Sequence, residues 1–309
     1  MSNPFKNRVY GCVIIKAINS NYNADFSHQP RTLPNGVAYA TDKALKYTVR
    51  NYWKNALGEQ IFYFKTLNEE MLPRTLDETY EFLFGKDRLV GDKDKDKSKL
   101  RLNVLKDLLS CLDVRLFGGT YAGKTNISIH GTCQITHGVN RFTENVIYTE
   151  QIMSPFRNPG ESSAESTMTT LGTQSKLQEG HYVHHFSVNP RNIASDAERV
   201  QNIGLSTSDI DKLKEALRRG ATYYDSASKI GTENELLLWV QLKEGSNIVL
   251  PSFVELVRIN ENREIDLQEV SNLLAKEYIK NEIETIELYY QQNVTKIKNA
   301  PTGAILGEL

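Results

Sequence analysis

Apolar and polar positions along this chain fall into segments of two different periods. Arg8 to Ile18 (RVYGCVIIKAI) is dense in β-branched and aromatic residues and predicts a buried strand. It runs into Asn19-Ser20-Asn21-Tyr22-Asn23-Ala24-Asp25, a polar run suited to turns, and then a Pro/Gly loop from Pro30 to Gly36. Ala40 to Lys54 changes to helical period. Leu45, Val49, Tyr52, Trp53 and Ala56 fall on one side, while Lys43, Lys46, Arg50 and Lys54 fall largely on the other. Thr41 is placed to cap the first turn with its hydroxyl, and Asp42 opposes the positive end of the helix dipole.

Further along, Gln60 to Lys65 (QIFYFK) predicts a second strand, and residues 66–112 predict helix, with Asp77 to Phe84 and Ser98 to Leu112 as separate segments. Between those two, Gly91 to Lys97 alternates charge without an apolar residue and predicts an exposed loop. Asp113 to Gly119 predicts a tight turn, because two glycines follow an aromatic. Asn126 to Val139 predicts a long strand or strand pair, continued by Arg141 to Tyr148. Gln151 to Lys176, rich in Pro, Gly, Ser and Thr, predicts a protruding loop or hairpin. His181 to Pro190 returns to strand. Leu205 to Arg219 predicts a helix with a capping-box start, and Tyr223 to Gly231 a polar link. Glu235 to Leu242 and Phe253 to Ile259 read as strands, 266–280 as helix, 282–290 as either, and the tail after Pro301 as loose. The order is that of an α+β protein, a β-α-β-β-α-β ferredoxin-like sheet with large insertions, the plan that RNA-recognition domains use.

Composition alters this picture in one respect. The chain of 309 residues has a net charge of -1, but residues 1–60 carry Lys6, Arg8, Lys16, Arg31, Lys43, Lys46, Arg50 and Lys54 against Asp25, Asp42 and Glu59. The segment 261–309 is acidic. A basic front and an acidic tail allow a local polyanion site without a basic protein, and they suit head-to-tail self-association. Strand, polar loop and basic helix is a common way to set backbone N–H groups and cations around a phosphate chain. The ordinary alternative is a solvated face of an amphipathic helix.

Other chemistry is weaker. Cys12, Cys111 and Cys133 are scattered with no CxxC spacing, which points to buried free thiols in a reducing cytosol. No signal peptide or bilayer-length apolar run is present, so a cytoplasmic protein with no membrane partner is expected. Gly118 to Thr125 satisfies the offsets of a GxxxxGK[ST] phosphate loop, but no strand leads in and an alternating strand pattern follows. His181 and His185 share one strand face with no acidic or cysteine third ligand evident, so no metal or other cofactor is expected.

The chain resembles a known family: the Cas-seven family, backbone subunits of type I CRISPR interference complexes (Cascade), closest to the I-B branch. The resemblance is carried, in family order over roughly residues 8–260, by several stretches. They are the first strand ending in Asn19-Ser20-Asn21, Thr41 to Lys46 with Arg50-Asn51-Tyr52, Asp113 to Gly118, Gly131 to Gln134, Gly180-His181-Tyr182, Leu205 to Leu217, Asp225-Ser226 and Lys229-Ile230-Gly231. The family's Asp-Ser-Arg-Ser phrase reads Asp225-Ser226-Ala227-Ser228 here, without the arginine, and Thr132 replaces a usual proline.

The resemblance implies a right-hand-like architecture: a modified RRM-like palm (5–65, 113–150 and 180–260), a helical fingers insertion (66–112), a β-hairpin thumb (151–180) and a C-terminal extension (261–309). It implies a subunit without catalysis that self-associates into a filament along a CRISPR RNA, splays bases with its thumb and meets a target DNA strand paired to the guide. The implied neighbours are a Cas five-type subunit, large and small subunits and an RNA-processing endonuclease. Lys43, Lys46 and Arg50 are the implied phosphate contacts, lined by Asn19, Ser20 and Asn21, with Arg115 and Gln134 facing the same groove. In the thumb, Met153 and Met168 are the implied wedges, and Phe156 and Arg157 the implied stacking or phosphate contacts. Two other readings stay open: a type III-like RNase subunit cutting target RNA with Asp25, beside His28, and a plain RNA chaperone or regulator.

Overall fold

Strand β1 (Val9–Ser20) is apolar on both faces because each face enters its own core. Val9, Val13, Ile15 and Ala17 point into one, and Tyr10, Cys12 and Ile14 into the other. A computed structural model describes residues 3–89, 97–142, 144–153 and 171–309, and in it β1 lies at the centre of the largest sheet.

After β1 come β2 (Tyr39–Ala40), α1 (Asp42–Asn55), α2 (Leu76–Phe84), α3 (Lys97–Leu108) and α4 (Leu112–Phe117). Short strands follow: β3 (Gly119–Ala122), β4 (Asn126–Ile129), β5 (Cys133–Ile135) and β6 (Gly138–Asn140). Next are β7 (Ile147–Met153), β8 (Leu171–Val188), α5 (Ala194–Arg199), α6 (Thr207–Tyr223) and β9 (Thr232–Leu242). The chain closes with β10 (Arg258–Ile259), β11 (Glu264–Asp266), α7 (Gln268–Leu274), α8 (Glu277–Lys280), β12 (Ile283–Tyr290), β13 (Lys296–Lys298) and β14 (Ile305–Gly307).

The large sheet has the order β14-β12-β9-β1-β8-β6-β2, with β5 and β7 also paired to β8. β1 runs antiparallel to both β8 and β9. Helices α1 and α6 pack against each other on one face. There Leu45, Val49 and Trp53 meet Leu213, Ala216 and Leu217 over Phe186, Leu237 and Trp239. The opposite face, with Leu236, Leu238 and Val240, is covered by Phe253, Val257, Ile265, Leu267, Val270 and Leu274. Both faces of the central strands are therefore closed, and RNA cannot lie across them as it lies on the open sheet of an RNA-recognition domain. A third core joins α2, α3 and α4 through Tyr80, Val104, Leu108, Val114, Tyr121 and Ile129.

Several predicted elements take a different form. Gln60 to Lys65 is not a strand: the N–H groups of Phe62 and Tyr63 donate to the Asp113 carboxylate, both at 2.9 Å, instead of to a sheet neighbour. The helix expected over 98–112 stops at Leu108, and the expected turn at Asp113 is the helix α4, which ends at Gly118 with φ 66°. Residues 126–139 break into three short strands, and after Arg141 strand resumes only at Ile147. Phe253 and Val257 fill the second core from a turn, with the N–H of Leu256 and of Val257 donating to the Phe253 carbonyl, so only the last two residues of that predicted strand pair. The helix over 266–280 divides into α7 and α8, and 282–290 is the strand β12. The tail after Pro301 is not loose, because β14 adds to β12 in parallel. The capping box of α6 forms in full between Ser206 and Asp209.

Candidate nucleic-acid interface

The start of α1 is built by its neighbours more than by its own cap. Thr41 adopts the extended N-cap conformation, but its hydroxyl makes no cap hydrogen bond. Both its N–H and its hydroxyl donate to Asn23 Oδ1, at 2.9 and 3.0 Å, which ties the helix to the loop after β1. The Asp42 N–H, an orphan donor of the first turn, goes to His137 Nδ1 at 3.2 Å. The inward side forms as predicted with Leu45, Val49, Tyr52 and Trp53 buried, while Ala56, just past the helix, is exposed.

The four cations have four different environments. Lys43 is exposed and makes no ion pair among the described residues. Lys46 bridges to Asp42 at 3.1 Å and lies 5.5 Å from the Phe117 ring centre. Burial works against the Asp42 charge, but Lys46, Lys43 and His137 outweigh it and hold the carboxyl below its usual range. Arg50 donates through Nε to Asp113 at 3.2 Å, with its guanidinium 5.1 Å from the Phe117 ring. Among the described residues neither Nη of Arg50 has a hydrogen-bond partner, so the fork is held by its stem. Lys54, the last of the four on the outward face, lies over Phe64 at 4.8 Å; burial, then the nearby Arg74, lowers its pKa.

Asp113 is wholly buried and accepts from Phe62, Tyr63 and Arg50. Gly118 and Gly131 cross so closely that a Cβ on Gly118 would sit 2.3 Å from the Gly131 nitrogen. That crossing sets β5 beside α1, with Gln134 exposed and donating to the Gly131 carbonyl at 3.0 Å. Arg115 serves the frame: its Nε and Nη2 donate to Asp209, at 3.0 and 2.7 Å, and its Nη1 to the carbonyls of Leu109 and Ser110. Asp209 is also the capping-box acid of α6, so Arg115 locks that helix start to α4.

At the other end of the site, β7 and the first part of β8 form a two-stranded arm, paired from Ile147↔Leu177 to Met153↔Leu171. Asn19, exposed and with φ 48°, accepts the Tyr148 hydroxyl at 3.1 Å at the base of the arm. Ser20 and Asn21 face inward: Ser20 meets the Thr232 hydroxyl, and the Asn21 amide donates to the carbonyls of His28 and Ser175. Met153 is highly exposed on the arm. Phe156, Arg157 and Met168 lie outside the described residues, as does most of the 91–97 loop.

The remaining motifs resolve into structure. The GxxxxGK[ST] match is followed by β4, and Lys124 spends its ammonium on Glu81 and its N–H on Asp77. Among the described residues no group of three or more His, Cys, Asp or Glu side chains is arranged so that it could hold a metal ion. His184 donates from Nδ1 to the Thr136 carbonyl and accepts the Tyr22 hydroxyl at Nε2, and burial pushes its pKa down to about 4. His181 sits between Glu235 (2.5 Å) and Glu179 (3.3 Å), and Glu179 is held in turn by Arg263. No helix is long and apolar enough to cross a membrane among the described residues. Sequence reasoning missed Asn23 and His137, which place α1; Asn23 lay within the polar run, and nothing in the sequence marked His137.

Comparison with known proteins gives a consistent result. The family model described as CRISPR-associated protein Cas7 matches residues 7–289. No curated protein matches the sequence. A solved chain from a "CRISPR RNA-guided surveillance complex, pre-nicking" superposes with a TM-score of 0.57 at 13% identity, covering 95% of this chain and 96% of that one. A chain from a "CRISPR RNA-guided surveillance complex" gives a TM-score of 0.48 at 14% identity, covering 94% and 95%. The first superposition shows a shared mixed α+β fold built on a large central sheet.

Proposed function

The chain belongs to the CRISPR-associated Cas7 family, and on that premise we propose that it is a backbone subunit coating the spacer of a CRISPR RNA in a type I Cascade complex, of the I-B kind. The observation that carries the reading is the α1 face, where Lys43 is open and Arg50 is held by its stem with the fork unspent, beside an exposed Asn19 at the root of a projecting arm. Lys43, Lys46 and Arg50 contact guide phosphates, Lys46 by exchanging Asp42 for phosphate, and Asn19 and Gln134 border the groove. Ser20, Asn21 and Arg115 support it from beneath.

The RRM-like palm (5–65, 113–150 and 180–260) is supported by the order β9-β1-β8-β6 with α1 and α6 on one face. The helices α2 and α3 belong to the fingers (66–112). The β7–β8 arm supports a thumb over 151–180, with Met153 and Met168 as wedges between bases and Phe156 and Arg157 as further contacts. Copies associate into a filament, reached by a target DNA strand and flanked by Cas five-type, large, small and RNA-processing subunits. The subunit is cytoplasmic and binds by shape and phosphate without catalysis, so guides of any sequence are accepted.

Co-expression with a CRISPR RNA, followed by absorbance at 260 and 280 nm and negative-stain imaging, tests this. Long arched particles protecting full-length RNA are expected. Monomers with loosely held RNA would refute assembly, and cleaved RNA restored to full length by Asp25→Ala would make the RNase reading correct. Lys46→Ala and Arg50→Ala are each expected to flatten the salt dependence of RNA binding by one phosphate contact, a slope change of about 0.7 for a single strand.

A further inference from the structure

Two loops of this chain, unrelated in the family-like motifs, are built to one plan. Residues 24–31 read Ala-Asp-Phe-Ser-His-Gln-Pro-Arg, and 67–74 read Leu-Asn-Glu-Glu-Met-Leu-Pro-Arg. Each is closed by a β-bridge between its first and seventh residues, Ala24↔Pro30 and Leu67↔Pro73. In each the second residue caps the turn from within. Asp25 Oδ1 accepts from the N–H groups of Ser27 and Gln29, and Asn68 Oδ1 from those of Glu70 and Leu72. The fifth residue takes the same left-handed conformation, His28 and Met71 both at φ 63°. The arginine after the proline is tied back through its N–H, Arg31 to Asn23 and Arg74 to Thr66. Each arginine then sits over an aromatic ring, Arg31 5.9 Å from Phe26 and Arg74 4.1 Å from Phe82.

The loops bracket α1. The first is fixed to its N-terminus, because Asn23 accepts from Thr41. The second leaves from Phe64, whose ring lies against Tyr47 and Lys54 of α1. The fourteen residues of α1 span about 21 Å. Both rings are left open: Phe26, within the first loop, is 98% exposed, and Phe82, on α2 just after the second loop, is 60% exposed. Neither arginine has an acidic partner within ion-pair distance among the described residues. Arg31 Nε donates to the Ala24 carbonyl at 3.1 Å, which holds the side chain by its stem, and an exposed ring beside a guanidinium with no acidic partner suits a nucleobase stacked on the ring's open side and a phosphate beside the cation.

We propose that the loop 24–31, and the loop 67–74 together with Phe82 of α2, are single-strand clamps toward the two ends of the α1 face, Phe26 and Phe82 stacking on bases while Arg31 and Arg74 hold the flanking phosphates. The inference rests on the nucleic-acid reading of α1 and extends it to surfaces on either side. It makes the site longer than the basic helix, and it gives Asp25 the work of shaping a clamp.

The test is fluorescence anisotropy of the full chain with a labelled mixed-sequence 40-nucleotide RNA and the same sequence as single-stranded DNA, at several salt concentrations. Phe26→Ala is expected to weaken binding about 5- to 100-fold, the range of one base–aromatic stack, and Phe26→Tyr to restore it. Arg31→Gln and Arg74→Gln are each expected to reduce the salt slope by about 0.7, and the double variant by about twice that. Circular dichroism melts confirm folding of each variant. Phe26, Arg31 and Arg74 variants that bind like the parent, while Arg50→Ala weakens binding, would overturn the clamps and leave the α1 reading standing. A parent that binds neither strand would overturn both. Variants with parental nucleic-acid affinity but a smaller particle by sedimentation would show the loops to be contacts between copies, which also overturns the proposal.

Discussion

Replacing Asp113 should damage the fold on the α1 side. Its carboxylate is fully buried and accepts three donors, the N–H groups of Phe62 and Tyr63 at 2.9 Å and Arg50 Nε at 3.2 Å. Asp113→Ala strands one buried and one part-buried backbone donor, at about 1–3 kcal/mol for a buried one, and leaves a largely covered guanidinium without its anion. The sum falls at about 3–5 kcal/mol, the usual range for breaking one side of a buried pair. Against a total stability of about 5–15 kcal/mol, that is a large loss.

Trp53 offers a local probe, because it stacks on Phe117 at 5.2 Å and Phe117 carries Arg50. Followed by tryptophan fluorescence in guanidinium chloride, the Asp113→Ala midpoint is expected to fall by about 1 M. The double variant Asp113→Ala/Arg50→Met separates the causes. It removes the uncompensated charge but not the two stranded N–H groups, so it should recover only part of the loss. Full recovery would refute the assignment of the Phe62 and Tyr63 hydrogen bonds as the main term, and a midpoint within about 0.2 M of the parent for the single variant would refute the whole account.

Other consequences are open to direct measurement. Burial opposes the charge on His181, but the hydrogen bonds and charges of Glu235 and then Glu179 outweigh it and raise its pKa above the ordinary value. Its contribution is therefore fully present below pH about 6.5 and lost as pH rises through the higher folded value. The gap in melting temperature between the parent and His181→Gln should shrink from pH 6 to pH 9, and a gap that widens would contradict this. Gly118→Ala places a Cβ on the Gly131 nitrogen at a φ of 66° and should cost more than about 1 kcal/mol, read as a lower denaturation midpoint. Cys12, Cys111 and Cys133 are buried, which pushes each thiol up to about 12, so iodoacetamide should leave them unmodified until the chain unfolds. Replacing 154–170 with a short Gly/Ser turn should preserve the melting temperature while reducing RNA protection. Deleting 151–176 should destabilise the chain as well, because Ser175 is buried and accepts from Asn21.

What the sequence made legible was local. β1, α1, α2 and α6 follow from the period of their apolar residues, and Ser206 with Asp209 announces its capping box three residues apart. What it concealed was decided at long range. QIFYFK has every mark of a strand, yet a single carboxylate fifty residues on takes its N–H groups. Arg115 reads as a cation in a loop facing RNA until Asp209, ninety-four residues away, is seen to hold its Nε and Nη2.

The same distinction bears on where the proposed guide strand would run. Apolar residues on both faces of β1 already showed that the strand was buried, but not that residues 253–279 supply the second cover. With that face closed as well, the groove proposed for a nucleic acid lies on the α1 side, along Lys43, the Arg50 fork, Gln134 and Asn19 at the root of the arm. On the proposed reading, Asp113 holds the Arg50 stem in place before any phosphate arrives, so less side-chain freedom is lost on binding than a free arginine would lose. A stripe of four cations on a helix wheel is thus one open lysine, two cations positioned by acids, and a fourth, Lys54, laid on a ring beside the second Pro-Arg loop.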